Sequence, residues 1–274
     1  MKRDGKGWML MAVMLLLILG VAFAQREALW PVKEQMDPEV VHAALLEYGY
    51  PEVVIQAMSV GAKEQTCREQ VYFHKAELVY YTEEGEKLLQ ISLDSDLSGE
   101  QEQWLLQDLP EYDLALAMVN GFRYEGEAVE YALCSLHYHW TKLPKTRKEE
   151  PLRMSWKSQQ MWVRDDGYYI CASRMDRDGA EELLLFEHNV ALAGPSGLQW
   201  YTELHDIGRR GRYGFSGSAM VEIEPRDGID SVMIQGSLTH RHDESSFLSS
   251  ERMHEIVFQT GLELIWPKEK EERQ

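Results

Sequence analysis

From about Val71 onward the chain alternates apolar and polar residues with a period of two, broken at short intervals by turn chemistry. Runs at 76–81 and 88–93 flank Glu83-Glu84-Gly85, and runs at 161–164 and 168–173 flank Asp165-Asp166-Gly167. Asp178-Gly179 precedes a run at 183–186, and Asp227-Gly228 separates 219–223 from 231–239. Glycine after an acidic residue supplies the positive φ of a tight hairpin, so each signal predicts antiparallel strands on either side. Many such strands with few helical stretches between them predict a mainly β fold, an antiparallel β-sandwich of jelly-roll type.

The residues before Val71 follow a helical period instead. Asp37-Pro38 reads as an N-cap with proline in the first helical position, and Gly49 as the stop. Val40, Val41, Ala44, Leu45 and Tyr48 recur between them at helical spacing, and Pro51 opens a second short helix through Val54, Ile55 and Met58. A pair of helices before Lys63 is therefore expected, with a further helix at 101–109 and a turn of another at 249–255. The expected organisation is a leader over 1–24, a segment with two short helices and a β-hairpin over 25–110, a β-sandwich domain over 111–267 and a charged tail over 268–274.

The leader rests on Lys2, Arg3 and Lys6, an apolar run from Trp8 to Phe23, and the small-x-small pattern Ala22-Phe23-Ala24 before polar Gln25, Arg26 and Glu27. The run is shorter than the ~20 residues of a membrane-crossing helix, so cleavage and secretion are expected, with no stable membrane span afterwards. The whole chain carries a formal charge of −18, to which the leader contributes +2. The mature surface is thus strongly acidic, which argues against nucleic acid and against anionic lipid as partners.

Cys67, Cys134 and Cys171 contain no C-x-x-C pair, so zinc-ribbon and thioredoxin patterns are excluded. Their odd number leaves at least one thiol unpaired, and whether two of them pair stays open. Cys134 shares a face with Ala132, Leu136, Tyr138 and Trp140 and is expected in a core.

Histidines come as two H-x-H pairs, a spacing that lets two imidazoles on one strand face meet a transition metal. His137 and His139 lie opposite the apolar face of their strand and are expected to point outward. His240 and His242 continue the face of Val232, Ile234 and Leu238, point inward and are the candidate metal ligands. Asp176-Arg177-Asp178-Gly179 departs from a calcium loop, which places its glycine sixth. Gly214-Phe215-Ser216-Gly217 lacks the spacing of a nucleophile elbow. Candidate ligand-binding residues are Arg209, Arg210 and Arg212 in the Gly208–Gly214 loop, suited to an anionic group, and Trp162, whose ring can stack on a sugar. Trp140 and Trp156 follow apolar faces and read as core. Glycoside hydrolysis needs two facing carboxylates, and 46 acidic residues offer no way to nominate a pair.

Two local patterns carry a resemblance. Tyr48-Gly49-Tyr50-Pro51 with Val54, Ile55, Met58 and Lys63 resembles the helical opening of exported proteins of Gram-positive bacteria. Tyr138-His139-Trp140, Leu143-Pro144, Met154-Ser155-Trp156, Gly197-Leu198-Gln199-Trp200 and Leu238-Thr239-His240 resemble the β region of the same uncharacterised secreted group. The resemblance implies export and a β-rich body, and no catalytic residues. The expected function is that of an exported, non-enzymatic binding or structural component of the cell envelope or extracellular matrix, with carbohydrate or protein partners and no cofactor. A secreted hydrolase acting on polysaccharide or cell wall is the alternative.

Overall fold

The computed structural model describes residues 36–95, 105, 109–142, 144, 149–157, 160–175, 181–187, 192–194, 196–203, 213–226, 228–243 and 253–267. The leader, the 204–212 loop, most of the helix expected at 101–109, and the tail lie outside these residues.

Three helices open the described chain, not two. Helix α1 (Pro38–Glu47) begins as its sequence dictates: the Asp37 carboxylate accepts from the Glu39 N–H, and Gly49 follows the last turn at φ +83°. Helix α2 (Glu52–Ala57) buries Val53, Val54, Ile55 and Ala57. Helix α3 (Val60–Arg68) is capped by Ser59, whose hydroxyl accepts from the Ala62 N–H. Its buried face includes Glu64, Gln65 and Thr66, so it lacks the apolar period that marks a helix in sequence.

Twelve strands among the described residues form two antiparallel sheets. They are β1 (Tyr72–Tyr81), β2 (Lys87–Asp94), β3 (Leu114–Glu125), β4 (Ala128–Trp140), β5 (Glu149–Trp156), β6 (Met161–Met175), β7 (Glu181–Glu187), β8 (Leu192–Gly194), β9 (Gly197–Glu203), β10 (Tyr213–Pro225), β11 (Ser231–Asp243) and β12 (Met253–Ile265). The larger sheet runs β2-β1-β3-β4-β10-β6-β7 and the smaller β12-β11-β5-β9-β8. The mainly β, two-sheet class expected from the alternation is what forms.

Two expectations are corrected. Asp165-Asp166-Gly167 does not separate two strands. Strand β6 runs through it, with Val163 opposite Ile223 and Tyr168 opposite Val221, so residues 164–167 bulge against Glu222 alone. Gly228 takes φ +76° and the Ile229 N–H donates to the Arg226 carbonyl, but β10 and β11 lie in different sheets, so no hairpin closes there. Strand β1 of the 25–110 segment is paired with β3 of the 111–267 segment from Tyr72–Phe122 to Tyr81–Leu114.

The core has two layers on opposite faces of the larger sheet. Leu114, Leu116 and Met118 of β3, Leu136, Tyr138 and Trp140 of β4, and Val221 and Ile223 of β10 meet the smaller sheet's Leu152, Trp200, Ile234, Leu238, Phe258 and Leu264. The other face, with Ala115, Ala117, Val119 and Leu133, packs beneath the helices against Leu45, Val54, Ile55 and Met58. Residues 114–122 of β3 and 131–138 of β4 are consequently buried on both faces. Gly236 sets how closely the sheets approach, since a Cβ there would lie 2.6 Å from both Leu136 Cδ1 and Met118 Cε.

Among the described residues, the smaller sheet is covered on one side only. Along β11 and β12, Val232, Ile234, Leu238, Phe258, Leu262 and Leu264 are buried while Met233, Gln235, Val257, Gln259, Glu263 and Ile265 are exposed. This is the alternation of a sheet with one wet face.

Candidate functional site

Of the residues nominated by sequence, the side chains of Trp162 and His240 are described. Trp162 is 55% exposed at the start of β6, but the Arg226 guanidinium carbon sits 3.7 Å from its ring centroid and occupies one face. Arg209, Arg210 and Arg212 lie outside the described residues. His240 and His242 are on β11 at its C-terminal end, and only the former's side chain is described. His240 faces inward, fully buried, its ring 5.2 Å from that of Trp140, and its Nδ1 is joined to the carboxylate of Glu150 on β5. Glu150 is also fully buried, and burial raises its pKa while the bond to His240 acts against that rise. Among the described residues no group of three or more His, Cys, Asp or Glu side chains is placed to hold a metal ion.

His137 is a correction. It does not face solvent: helix α3 and its Ser59 cap lie over that face, and the imidazole is fully buried. Burial keeps the ring neutral, and its hydrogen bonds then fix the tautomer. Ser135 Oγ donates to the Val119 carbonyl at 3.3 Å, so it receives the proton of His137 Nε2 at 2.7 Å. Nδ1 is then the bare lone pair, and Ser218 Oγ donates to it at 2.6 Å. Ser218 in turn accepts from Ser59 Oγ at 2.8 Å. Every hydroxyl in this chain has its donor and acceptor assigned, and the imidazole is neutral. Burial, helped by the charge of Lys63, lowers its pKa to about 3. A serine beside a histidine base is the geometry of a nucleophile, yet Ser218 is 1% exposed and the chain ends on backbone groups. It ties the helical layer to the sheet.

Cys67 and Cys134 are buried free thiols, and burial raises the pKa of each. They behave as small apolar groups.

A concave polar site does form where no motif marks one: on the open face of the smaller sheet. A cleft of about 380 Å³ has Gln235 and Ser237 of β11, Gln259 and Gly261 of β12 and Ser155 of β5 on its floor. Glu77 of β1 and Gln90 of β2 form its wall. The wall stands because the β1–β2 hairpin is docked on the edge of β12. Glu77 Oε1 accepts from the Gly261 N–H at 3.1 Å, and a Cβ on Gly85, at the hairpin tip with φ +91°, would lie 2.6 Å from Ile256 Cγ2. The lining is mostly amide and hydroxyl, with the Met233 thioether and a single carboxylate, so it offers paired donors and acceptors at nearly neutral charge. Glu77 and Gly261 are 184 residues apart, and no local pattern announces their meeting.

No protein-family model matches the chain, and no curated protein does. Among solved structures it is similar to one described as a pore forming protein, at 10% identity over 57% of this chain and 86% of the other, with a TM-score of 0.28. It is also similar to the structure of AvmM, which catalyses macrocyclization in alchivemycin A biosynthesis, at 13% identity over 56% and 92%, with a TM-score of 0.23. Likenesses this loose carry no functional argument.

Proposed function

We propose that the chain is an exported, non-enzymatic binding protein of the cell envelope or extracellular matrix, and that it holds a neutral, hydroxyl-rich ligand, an envelope glycan, on the open face of the smaller sheet. The cleft bounded by Gln90, Gln235, Gln259, Ser155, Ser237 and Glu77 is the observation that carries this reading. Side-chain amides and hydroxyls donate and accept at once, as sugar hydroxyls do, while few charges need to be desolvated on binding. Export is supported by the leader pattern of residues 1–24. The hydrolase reading takes second place because acid–base cleavage needs two facing carboxylates. The cleft lining supplies Glu77, whose Oε1 is already engaged by Gly261.

A glycan array probed with the mature chain and with Gln235→Ala and Gln259→Ala tests the reading. Retention of neutral glycans by the parent, weakened at least tenfold in both variants, is expected. Silence across neutral glycans, or binding that ignores both substitutions, overturns it.

A further inference from the structure

We infer that the cleft is one end of a longer trough, and that the ligand is an extended, neutral β-linked polymer lying across the strands with about one sugar per strand. This inference rests on the binding reading above. The register places Gly261 of β12, Gln235 of β11, Ser155 of β5 and Gly197 of β9 in one line across the outer face. Both ends of this line are glycines for a geometric reason. A Cβ on Gly261 would meet the Ile234 carbonyl oxygen at 2.8 Å, and one on Gly197 would meet the Met154 carbonyl oxygen at 2.6 Å. The line therefore stays low at its two ends, with the exposed side chains of Gln235 and Ser155 between them.

Alongside it, at the next register position, run Gln259, Ser237 and Arg153, the exposed Arg153 paired with a buried Gln199 on β9. Arg153 Nε donates to Gln199 Oε1 at 2.5 Å, which fixes the far half of this row. Tyr201 stands two residues beyond Gln199 on the same face of β9, with its ring 42% exposed. At the near end Glu77 and Gln90 close the trough. Neighbouring strands are ~4.8 Å apart, so four strands span about 14 Å. An extended β-linked hexose chain advances by nearly the strand spacing at each residue, so each strand can present one polar group per sugar. A compact ligand would use only the near cleft and would give no role to the matching rows on β5 and β9.

The test is calorimetric titration of the mature chain with neutral β-1,4-linked gluco-oligosaccharides of increasing length, from disaccharide to hexasaccharide. Affinity is expected to rise at least tenfold from disaccharide to tetrasaccharide and then level off. Arg153→Ala and Tyr201→Ala, at the exposed far end, should lower tetrasaccharide affinity several-fold while leaving disaccharide affinity and the melting temperature unchanged. Equal affinity at every length, or variants without effect on the longer chains, overturns the trough but leaves the binding reading standing. No binding to this series, with another neutral glycan retained on the array, also overturns it. Failure of every neutral glycan sinks both.

Discussion

Tyr81 closes both hydrogen-bonding groups of a single edge residue: its phenol donates to the Gln259 carbonyl at 2.5 Å and accepts from the Gln259 N–H at 3.1 Å. Strand β12 is the edge of its sheet, and such an edge otherwise presents free N–H and C=O groups to any passing strand. With Glu77 engaging Gly261 two residues on, β1 seals the stretch of edge nearest the cleft. Removing the phenol by Tyr81→Phe leaves that pair half-buried and unsatisfied, at a cost of about 1–3 kcal/mol. Urea denaturation should show the loss, and light scattering should show self-association absent from the parent. An unchanged midpoint with a monodisperse variant would mean that the phenol seals nothing.

The tautomer of His137 has a consequence for acid stability. Its folded pKa is about 3, while the unfolded imidazole titrates near its ordinary 6.5. Between those values the unfolded chain binds a proton that the folded one refuses. This contribution is fully present above the unfolded value, and it is lost as pH falls toward the folded one, by up to ~1.4 kcal/mol per unit. A His137→Leu variant should be less stable at neutral pH and show a shallower decline on acidification. Equilibrium unfolding across the acid range measures both slopes, and identical slopes would contradict a buried neutral imidazole.

The Glu150–His240 pair sits between Trp140 and the smaller sheet, in a region where charge is poorly solvated. Truncating one member removes a buried bond from the other, so Glu150→Ala or His240→Ala should each cost up to about 3–5 kcal/mol. Replacing both with leucine should cost well under the sum, since neither polar group is then left behind. A double-mutant cycle read by chemical denaturation checks this, and additive losses would show that the two act independently.

The sheet strands were readable because burial on one side writes a period of two into Val232, Ile234, Leu238 and their exposed neighbours. Where the sequence misled, a distant element had changed the environment. His137 shares its face with Leu133, and β3 is apolar at every position from Leu114 to Val119. Those two signals mark a strand buried on both sides, but the helices that bury it precede it by many residues. Asp165-Asp166-Gly167 suits a bulge as well as a turn, because both need one residue freed from the ladder. The cleft was invisible for a plainer reason: Glu77, Gln90, Gln235 and Gln259 are ordinary surface residues on their own strands. Only the docking of the β1–β2 hairpin on β12 makes them a concave site.

Backbone amide chemical-shift mapping of the mature chain, titrated with a neutral β-linked tetrasaccharide, addresses the open face most directly. Shifts concentrated at Ser155, Gln235, Ser237, Gln259 and Gly261, with Gln199 following, are expected. Shifts gathered around Trp162 and Arg226 instead, or none at saturating sugar, would contradict a glycan-binding face on the smaller sheet.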